Sequence, residues 1–293
     1  MTILPTGTQY SIRCNDTSAV VAEVGATLRS LRVEGREFLW TYGDDELPVQ
    51  WVGTTLAPWP NRIRDGVYTF DGEAHRLPIN EHALGTALHG LAHALEWRLV
   101  DRASDRVSLA TTIYPQPGWA GVLHIAQTVS VADESLTVEW EARNRGTTSL
   151  PFGYGSHPYF VFDSLEEVSL SSPFARELLV DDRLLPLEVA EVSGSHDFRQ
   201  PHPLGDVTLD TAFTAAPTQW EVRLRADDRT VTVWGDEHHP WLQLYTHPNR
   251  RALAVEPMTC GPDAFNEGPT HAEVMVLKPG ESCGGRWGVR VHA

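Results

Sequence analysis

Hydrophobic and polar residues alternate with a period of two along much of this chain. Between positions 136 and 143, Leu136, Val138 and Trp140 would face one side of an extended backbone, and the polar residues between them would face the other. Residues 222–226 and 231–233 alternate in the same way on either side of an Asp-Asp-Arg turn, which predicts a β-hairpin. Other short runs of this kind occupy positions 18–23, 28–33, 107–113, 122–131, 167–171, 242–246, 252–256 and 287–291.

These runs predict an all-β fold. Helical periodicity is not sustained, and 20 prolines and 23 glycines are scattered among the runs as turn formers. Many short strands with closely spaced turns are typical of a large antiparallel β-sandwich. No repeat or linker divides the chain, so residues 1–293 are predicted to form a single domain. The segment 53–97 is rich in Pro, Gly, Asn and His and is predicted to be irregular and functional.

Net charge indicates which partners are unfavourable, and cysteine content indicates the redox compartment. The 39 acidic residues outnumber the 23 basic ones, and the formal net charge of −16 would repel both a nucleic acid backbone and an anionic membrane surface. The three cysteines are widely spaced, which favours a reducing compartment over a disulfide framework. No signal-peptide pattern or membrane-spanning apolar run is present. We expect a cytoplasmic protein, either a monomer or a homodimer, that binds neither nucleic acid nor membrane.

The chain contains 13 histidines, and histidine is a common metal ligand, so a metal site must be considered. His82, His89 and His93 lie close together, and the last two have the four-residue spacing seen on metal-binding helices. However, Gly90 follows the second histidine directly, no HExxH glutamate lies between them, and the segment has no helical pattern. We therefore predict no metal site here. The run Ser195-His196-Asp197 contains triad residue types, but triad members meet in space and are seldom neighbours in sequence.

A second group of polar residues lies at strand ends or in loops, each among apolar and turn residues. The group contains one cation, two imidazoles, two carboxylates and two amides. It therefore offers many hydrogen-bond donors and many acceptors, which favours a neutral polyhydroxylated ligand. The group consists of Asn61, Arg62, His89, His157, Asp210, Gln243 and Glu256.

Five stretches that carry every member of this group except Gln243 resemble, in the same order, the characteristic stretches of the aldose 1-epimerases, also called galactose mutarotases. They are NRI at 61–63, LHG at 88–90, SHPYF at 156–160, DTAF at 210–213 and EPMTCGPDAFN at 256–266. The opening VVAEVGATLRSLRVEGREFLW is similar to the first strands of the family, so the likeness spans nearly the full chain. Two departures mark a divergent branch. Pro158 stands where the family commonly has Ser, and Pro58-Trp59-Pro60 precedes NRI where many members carry Gly-Arg.

The resemblance implies a galactose mutarotase-like supersandwich that interconverts the α and β anomers of a free aldohexose such as glucose or galactose. Ring opening requires one group to remove the proton of the anomeric hydroxyl and another to protonate the ring oxygen, and ring closure reverses both steps. A carboxylate and an imidazolium can do this without a metal or organic cofactor. We expect Glu256 to be the general base and His157 the general acid.

The other polar residues are then expected to bind the sugar. Arg62, His89, Asp210 and Gln243 would contact its hydroxyls, and Asn61 would contact the sugar or hold its loop. Trp59, Trp97 and Trp241 are candidates to cover an apolar sugar face. A neighbouring opposite charge is expected to lower the pKa of Glu256 and raise the pKa of His157.

Two other functions stay open. A hexose-6-phosphate 1-epimerase would keep the fold but needs several Arg or Lys side chains around a phosphate, and Arg62 and Arg64 would face opposite ways on a strand. A non-catalytic carbohydrate-binding sandwich would need hydrogen-bonding residues and aromatic rings but no acid–base pair.

Overall fold

The computed structural model describes residues 3–226 and 228–292 of the chain. Regular structure in this part of the chain is almost entirely β-strand, and the only helices are three single-turn 3-10 helices at Ala92–Ala94, Gly194–His196 and His271–Glu273. Every pairing between two strands is antiparallel. The predicted all-β, antiparallel architecture is confirmed.

A nine-stranded sheet forms one layer. In spatial order its strands are β10 (Arg98–Arg102), β11 (Arg106–Ile113), β12 (Leu123–Ala132), β13 (Ser135–Asn144), β27 (Ser282–His292), β23 (Arg229–Gly235), β22 (Trp220–Ala226), β17 (Ser169–Ser171) and β20 (His202–Pro203).

An eight-stranded sheet forms a second layer. In spatial order its strands are β19 (Pro186–Glu191), β18 (Arg176–Val180), β21 (Asp210–Thr214), β24 (Trp241–Thr246), β25 (Ala252–Met258), β15 (Gly155–Ser156) and β5 (Thr55–Leu56), and β16 (Tyr159–Val161) also pairs with β25.

The remaining strands form smaller sheets. The N-terminal sheet contains β1 (Gln9–Cys14), β2 (Thr17–Ala22), β3 (Thr27–Val33) and β4 (Arg36–Glu37). Three two-stranded ribbons pair β6 (Arg62–Arg64) with β9 (Thr86–Leu88), β7 (Val67–Phe70) with β8 (Glu73–Arg76), and β14 (Leu150–Phe152) with β26 (Met275–Leu277).

The two large sheets contribute to one hydrophobic core. Val138 and Trp287 from the nine-stranded sheet belong to the same buried cluster as Leu244 and Val255 from the eight-stranded sheet. Because side chains alternate along a strand, the neighbours of Leu244 and Val255 point to the opposite face of the eight-stranded sheet. That outer face is where Gln243 and Glu256 lie.

The predicted strand runs coincide with observed strands, and their ends differ mostly by one or two residues. The run at 287–291 is the main exception, because β27 begins at Ser282 and passes through Gly284 and Gly285, which carry no hydrophobic signal. The predicted hairpin is formed by β22 and β23, whereas Asp227 in its turn lies outside the described residues.

The prediction of an irregular segment at 53–97 was partly wrong. The segment contains the five strands β5 to β9, each of two to four residues, which is too short for an alternating pattern to be recognised in the sequence. No helix among the described residues is long and apolar enough to cross a membrane.

Candidate active site

All seven residues predicted to form a site line one pocket of about 320 Å³ on the outer face of the eight-stranded sheet. The other lining residues are Gln50, Trp51, Glu81, Leu84, Leu88, Tyr159, Leu184 and Tyr245. A larger depression of about 890 Å³ lies on the nine-stranded sheet, but none of the seven residues reaches it. The sequence-derived set is therefore brought together in space, although its members are up to 195 positions apart, from Asn61 to Glu256.

Strand register builds the floor of the pocket. Gln243 of β24 lies directly opposite Glu256 of β25, and Tyr245 lies opposite Asp210 of β21. Residues that pair directly across strands face the same side of a sheet, and so do residues two apart on one strand. Four polar side chains are thus presented from three adjacent strands, and none of them needs a loop to position it.

The ribbon of β6 and β9 builds a wall of the pocket. Asn61 directly precedes β6, His89 directly follows β9, and both have positive φ values of 56° and 64°. The backbone N–H of Asn61 donates to His89 Nδ1 at 3.2 Å. A backbone N–H can only donate, so the proton of a neutral His89 must lie on Nε2. Burial, together with the nearby His157 and Arg62, lowers the pKa of His89 well below its usual value, which makes this residue a neutral hydrogen-bond donor.

Backbone strain is concentrated at the pocket. Besides Asn61 and His89, the lining residues Gln50, Trp51 and Leu184 have φ values of 51°, 55° and 58°. Non-glycine residues rarely adopt this left-handed conformation, and it costs roughly 1–3 kcal/mol at each position. Such strain persists only where the surrounding structure holds it in place, and it is commonest at functional sites.

His157 and Glu256 form a close pair at the centre of the pocket. His157 Nε2 lies 3.4 Å from Glu256 Oε1, and both side chains are almost fully buried. The imidazole stacks on the ring of Tyr159, with centroids 4.9 Å apart and an interplanar angle of 18°. His157 Nδ1 and Glu256 Oε2 have no hydrogen-bond partner in the described part of the protein. The pair thus has hydrogen-bonding capacity that neighbouring side chains do not use.

Electrostatics at this pair differ from the expectation drawn from sequence. Burial raises the pKa of Glu256 well above its usual value, Asp210 raises it further, and Arg62 opposes both effects. Burial also lowers the pKa of His157 to about 3. The predicted directions were therefore wrong, because the cost of removing each charge from water exceeds the attraction between the partners. In the free pocket, burial therefore favours the protonated form of the carboxyl group and the neutral form of the imidazole.

A hydrogen-bonded chain crosses the rest of the pocket. Arg62 Nε and Nη2 donate to the Glu81 carboxylate at 2.9 and 3.1 Å, and Nη2 lies 3.9 Å from Asp210 Oδ2. Gln243 Nε2 donates to Asp210 Oδ1 at 2.7 Å, and Asn61 Nδ2 lies 3.5 Å from Gln243 Oε1. Sequence reasoning missed Glu81, because only tertiary structure brings it to Arg62.

Two glycines precede His157 in the stretch GYGSHPYF at 153–160, and they allow the chain to pass beside two neighbouring segments. A Cβ atom at Gly153 would lie 2.5 Å from Cys260 Sγ, and one at Gly155 would lie 2.9 Å from Pro60 Cβ. His157 lies two residues beyond Gly155, in the short connection between β15 and β16. Close packing of these glycines therefore sets the position of the histidine.

The expectation for the tryptophans is corrected. Trp59, Trp97 and Trp241 are buried and do not line the pocket, whereas Trp51 does, with its ring centroid 5.0 Å from that of His89. The sequence could not separate these tryptophans, because a linear pattern does not show which ring faces the pocket.

The sequence contains two other candidate groups, the histidines between 82 and 93 and the run at 195–197. No group of three or more His, Cys, Asp or Glu residues is placed to hold a metal ion in the described ranges, which include His82, His89 and His93. In the Ser195-His196-Asp197 run, His196 contacts Glu177 at 2.6 Å and Asp197 pairs with Arg199. The run does not form a triad.

Comparison with known proteins agrees with the geometry. Residues 8–289 match the family model described as aldose 1-epimerase. The chain is 31% identical over 281 residues to the uncharacterized protein YihR of Escherichia coli K12, covering 94% of this chain and 90% of that protein. It is 24% identical over 322 residues to galactose mutarotase of Bos taurus, covering 93% and 90% of the two chains.

Solved structures share the fold. A GalM/aldose epimerase homologue from C. elegans superimposes with a TM-score of 0.86 at 19% identity, covering 97% of this chain and 98% of that one. A galactose 1-epimerase from Lactobacillus acidophilus NCFM gives a TM-score of 0.80 at 21% identity, covering 97% and 94%. The supersandwich fold predicted from the resemblance is confirmed.

Proposed function

Because the chain belongs to the aldose 1-epimerase family, we propose that it interconverts the α and β anomers of a free aldohexose such as glucose or galactose. The observation that supports this best is the buried pair of His157 and Glu256, 3.4 Å apart, each with an unpartnered polar atom. A carbohydrate-binding sandwich without catalysis would have no need to bury such a pair, since burying titratable groups costs stability.

The proposed reaction needs this pair to hold one proton in total. In the free pocket, burial keeps that proton on Glu256. When a sugar binds, its anomeric hydroxyl donates to the carboxylate and its ring oxygen accepts from the imidazolium, and both hydrogen bonds favour the charged forms. The proton therefore moves from Glu256 to His157, and the two groups reach the protonation states that catalysis requires.

Ring opening then uses both groups together. Glu256 takes the proton of the anomeric hydroxyl, His157 gives its proton to the ring oxygen, and the bond between the anomeric carbon and the ring oxygen breaks. The open-chain aldehyde rotates, and the reverse transfers close the ring as the other anomer. The chemistry proceeds with these two side chains as its only proton carriers, so we expect activity to survive treatment with a chelator.

The surrounding residues would orient the sugar. His89 would donate from Nε2, and the Asp210 carboxylate and the Gln243 amide would bind hydroxyl groups. Arg62 would place one remaining N–H near the oxygen on which negative charge develops. Asn61 contacts Gln243 and the backbone of Arg62, which supports a role in holding these ligands.

A hexose-6-phosphate 1-epimerase is the less favoured alternative. Arg62 points into the pocket, while Arg64 is exposed and pairs with Asp263 at 3.2 Å. No other Arg or Lys lines the described pocket. A phosphate would thus meet a single guanidinium that already has carboxylate partners.

The assignment can be tested with variants of the central pair. Glu256→Gln and His157→Asn preserve approximate shape but remove the acid–base function, so the polarimetric rate for glucose or galactose should fall by about 10²- to 10⁴-fold. Glu188→Gln, an exposed glutamate of β19, serves as the control and should leave the rate unchanged. Variants of the pair that kept most of the activity would show that other residues carry the reaction.

We further propose a cytoplasmic enzyme of one domain, residues 1–293, that acts as a monomer or homodimer on a small sugar. The acidic surplus supports the absence of nucleic acid and membrane partners. Sedimentation at several protein concentrations would separate the monomer from the homodimer.

A further inference from the structure

We propose that Glu81 is a specificity-determining residue that shields Arg62 and thereby excludes anionic sugars from the pocket. The inference rests on the proposed sugar-binding function of the same site. The site would reject sugars that carry an anionic substituent, namely sugar phosphates and sugar carboxylates.

Arg62 is the only Arg or Lys that lines the described pocket, whereas Glu81, Asp210 and Glu256 bring three carboxyl groups. An anionic substituent of a sugar would therefore depend on Arg62 for a counter-charge. Burial favours the neutral forms of both pocket histidines, and a proton that moves to His157 leaves a carboxylate on Glu256, so the pair gains no net positive charge. The availability of Arg62 thus decides whether an anion can bind.

Both binding edges of the Arg62 guanidinium face protein acceptors. The edge formed by Nε and Nη2 is taken by the two oxygens of Glu81, at 2.9 and 3.1 Å. On the other edge, Nη1 lies 3.5 Å from Asn61 Oδ1 and Nη2 lies 3.9 Å from Asp210 Oδ2. Arginine binds phosphate and carboxylate best through two parallel N–H groups of one edge. The shorter and stronger of these contacts are those made by Glu81.

Glu81 is itself held firmly in place. Its carboxylate accepts a hydrogen bond from the Thr86 hydroxyl, and its backbone exchanges two hydrogen bonds with the backbone of Thr86, each 3.2 Å long. The turn at 81–86 therefore directs the carboxylate towards Arg62. Backbone bonds secure the turn, so the charge of Glu81 can be removed without removing the turn.

Replacing Glu81 should open the pocket to anions. In Glu81→Gln the amide keeps the size of the side chain but no longer cancels the charge of Arg62. The ratio of kcat/KM for glucose to kcat/KM for glucose 6-phosphate should fall about tenfold or more, mainly through a lower KM for the phosphate. Inorganic phosphate should become a competitive inhibitor of the variant at concentrations that leave the wild-type protein unaffected.

Glu73→Gln is the matched control. Glu73 is an exposed glutamate of β8 outside the pocket, so its replacement makes the same change in net charge. The control should keep the wild-type ratio and its insensitivity to phosphate. A folded Glu81→Gln variant with the wild-type ratio and no phosphate inhibition would overturn the inference.

A second variant covers the case in which Glu81→Gln does not fold. Glu81→Asp keeps the negative charge but is one methylene shorter, so its carboxylate is drawn back from Nε and Nη2 of Arg62. It should gain phosphate affinity in part, measured by calorimetry with inorganic phosphate, and no gain in this variant would also contradict the inference.

Calorimetry separates this inference from the proposed function. If the wild-type protein accelerated no free aldose, the proposed function would fail. Phosphate binding to the Glu81 variants, compared with the wild type and with Glu73→Gln, would still decide whether Glu81 shields Arg62.

Discussion

At the scale of single residues, burial decides the chemistry of the central pair. His157 and Glu256 are close enough to form an ion pair, yet the loss of water stabilises the neutral forms of both. A single proton shared by the pair therefore lies on the carboxyl group rather than on the imidazole. In the proposed reaction, sugar binding would supply the hydrogen bonds that separate the charges, and binding of the ligand would thereby activate the base.

The pH dependence of kcat/KM tests this arrangement. The pair holds one proton between the pKa of His157, about 3, and the raised pKa of Glu256. Below this window both groups are protonated and no base remains, and above it both have lost their protons and no acid remains. We therefore expect a broad bell whose acidic limb belongs to His157 and whose basic limb belongs to Glu256.

Polarimetry with glucose, corrected for the spontaneous rate, would trace the two limbs. The residual activity of Glu256→Gln should lack the basic limb. The assignment would be contradicted if this variant lost the acidic limb and kept the basic one, which is the order that ordinary pKa values of about 4.3 for Glu and about 6.5 for His would produce.

At the scale of elements, the ribbon of β6 and β9 depends on one close backbone approach. Gly90, directly after His89, has a φ of +73°, and a Cβ atom there would lie 2.2 Å from the carbonyl oxygen of Ala57. The N–H groups of Leu91 and Ala92 both donate to this same oxygen. A side chain at Gly90 must therefore displace the segment that carries His89.

Gly90→Ala should destabilise the protein and weaken sugar binding. Gly72→Ala is a matched control, because Gly72 also has a positive φ, +79°, but a Cβ atom at this position would have no neighbouring atom within 4 Å. The free energy of unfolding of the control, measured by urea denaturation, should fall by about 1–2 kcal/mol because of the left-handed conformation alone. The free energy of unfolding of Gly90→Ala should fall clearly further, and its KM should be higher. Equal falls in the two variants would contradict the importance of the contact with Ala57.

At the scale of the whole molecule, buried histidines make stability depend on pH. His239 is fully buried, and it lies in the turn between β23 and β24. Trp140 Nε1 donates to its Nε2 at 3.1 Å, and its Nδ1 contacts Asp236 at 2.8 Å. Burial lowers the pKa of His239, although Asp236 opposes this effect. The unfolded chain takes up a proton at this residue below about pH 6.5, while the folded protein resists it. The contribution to stability is therefore present above that pH and is lost as the pH falls towards the folded pKa.

Replacing His239 should flatten the pH dependence of unfolding. Between about pH 6.5 and pH 5, the free energy of unfolding of His239→Gln should fall less steeply than that of the wild type, by up to about 1.4 kcal/mol per pH unit. The exposed neighbour His238 provides the control variant His238→Gln, which should keep the wild-type slope. Equal slopes for all three proteins in urea denaturation would exclude a role for His239.

Much of the fold could be predicted from local patterns. Strands such as β12 and β13 bury one face along ten residues, so each shows an alternating pattern in the sequence. Strands such as β5 and β9 are two or three residues long and entirely buried, and no periodic signal can be detected over so short a run. The same limit applies to the first half of β27, where glycine replaces the side chains that would reveal the strand.

The candidate site was predictable in composition but not in energetics. Motif order identified six of the seven predicted residues that line one pocket, and Gln243 was identified as a polar residue of an apolar strand. Glu81 and Trp51 escaped, since their contacts with Arg62 and His89 join residues without any shared motif. The directions of the pKa shifts at Glu256 and His157 were wrong because the depth of burial is a property of the assembled sheets.

The amino-acid sequence by itself therefore determined the longer β-strands, the polar group and the family, because period-two burial and motif order are local properties of a chain. Tertiary structure alone decided which tryptophan faces the pocket, which carboxylate shields Arg62 and where the proton of the central pair lies. Each of these depends on distances and on exclusion of water between segments far apart in sequence, and a linear pattern contains neither.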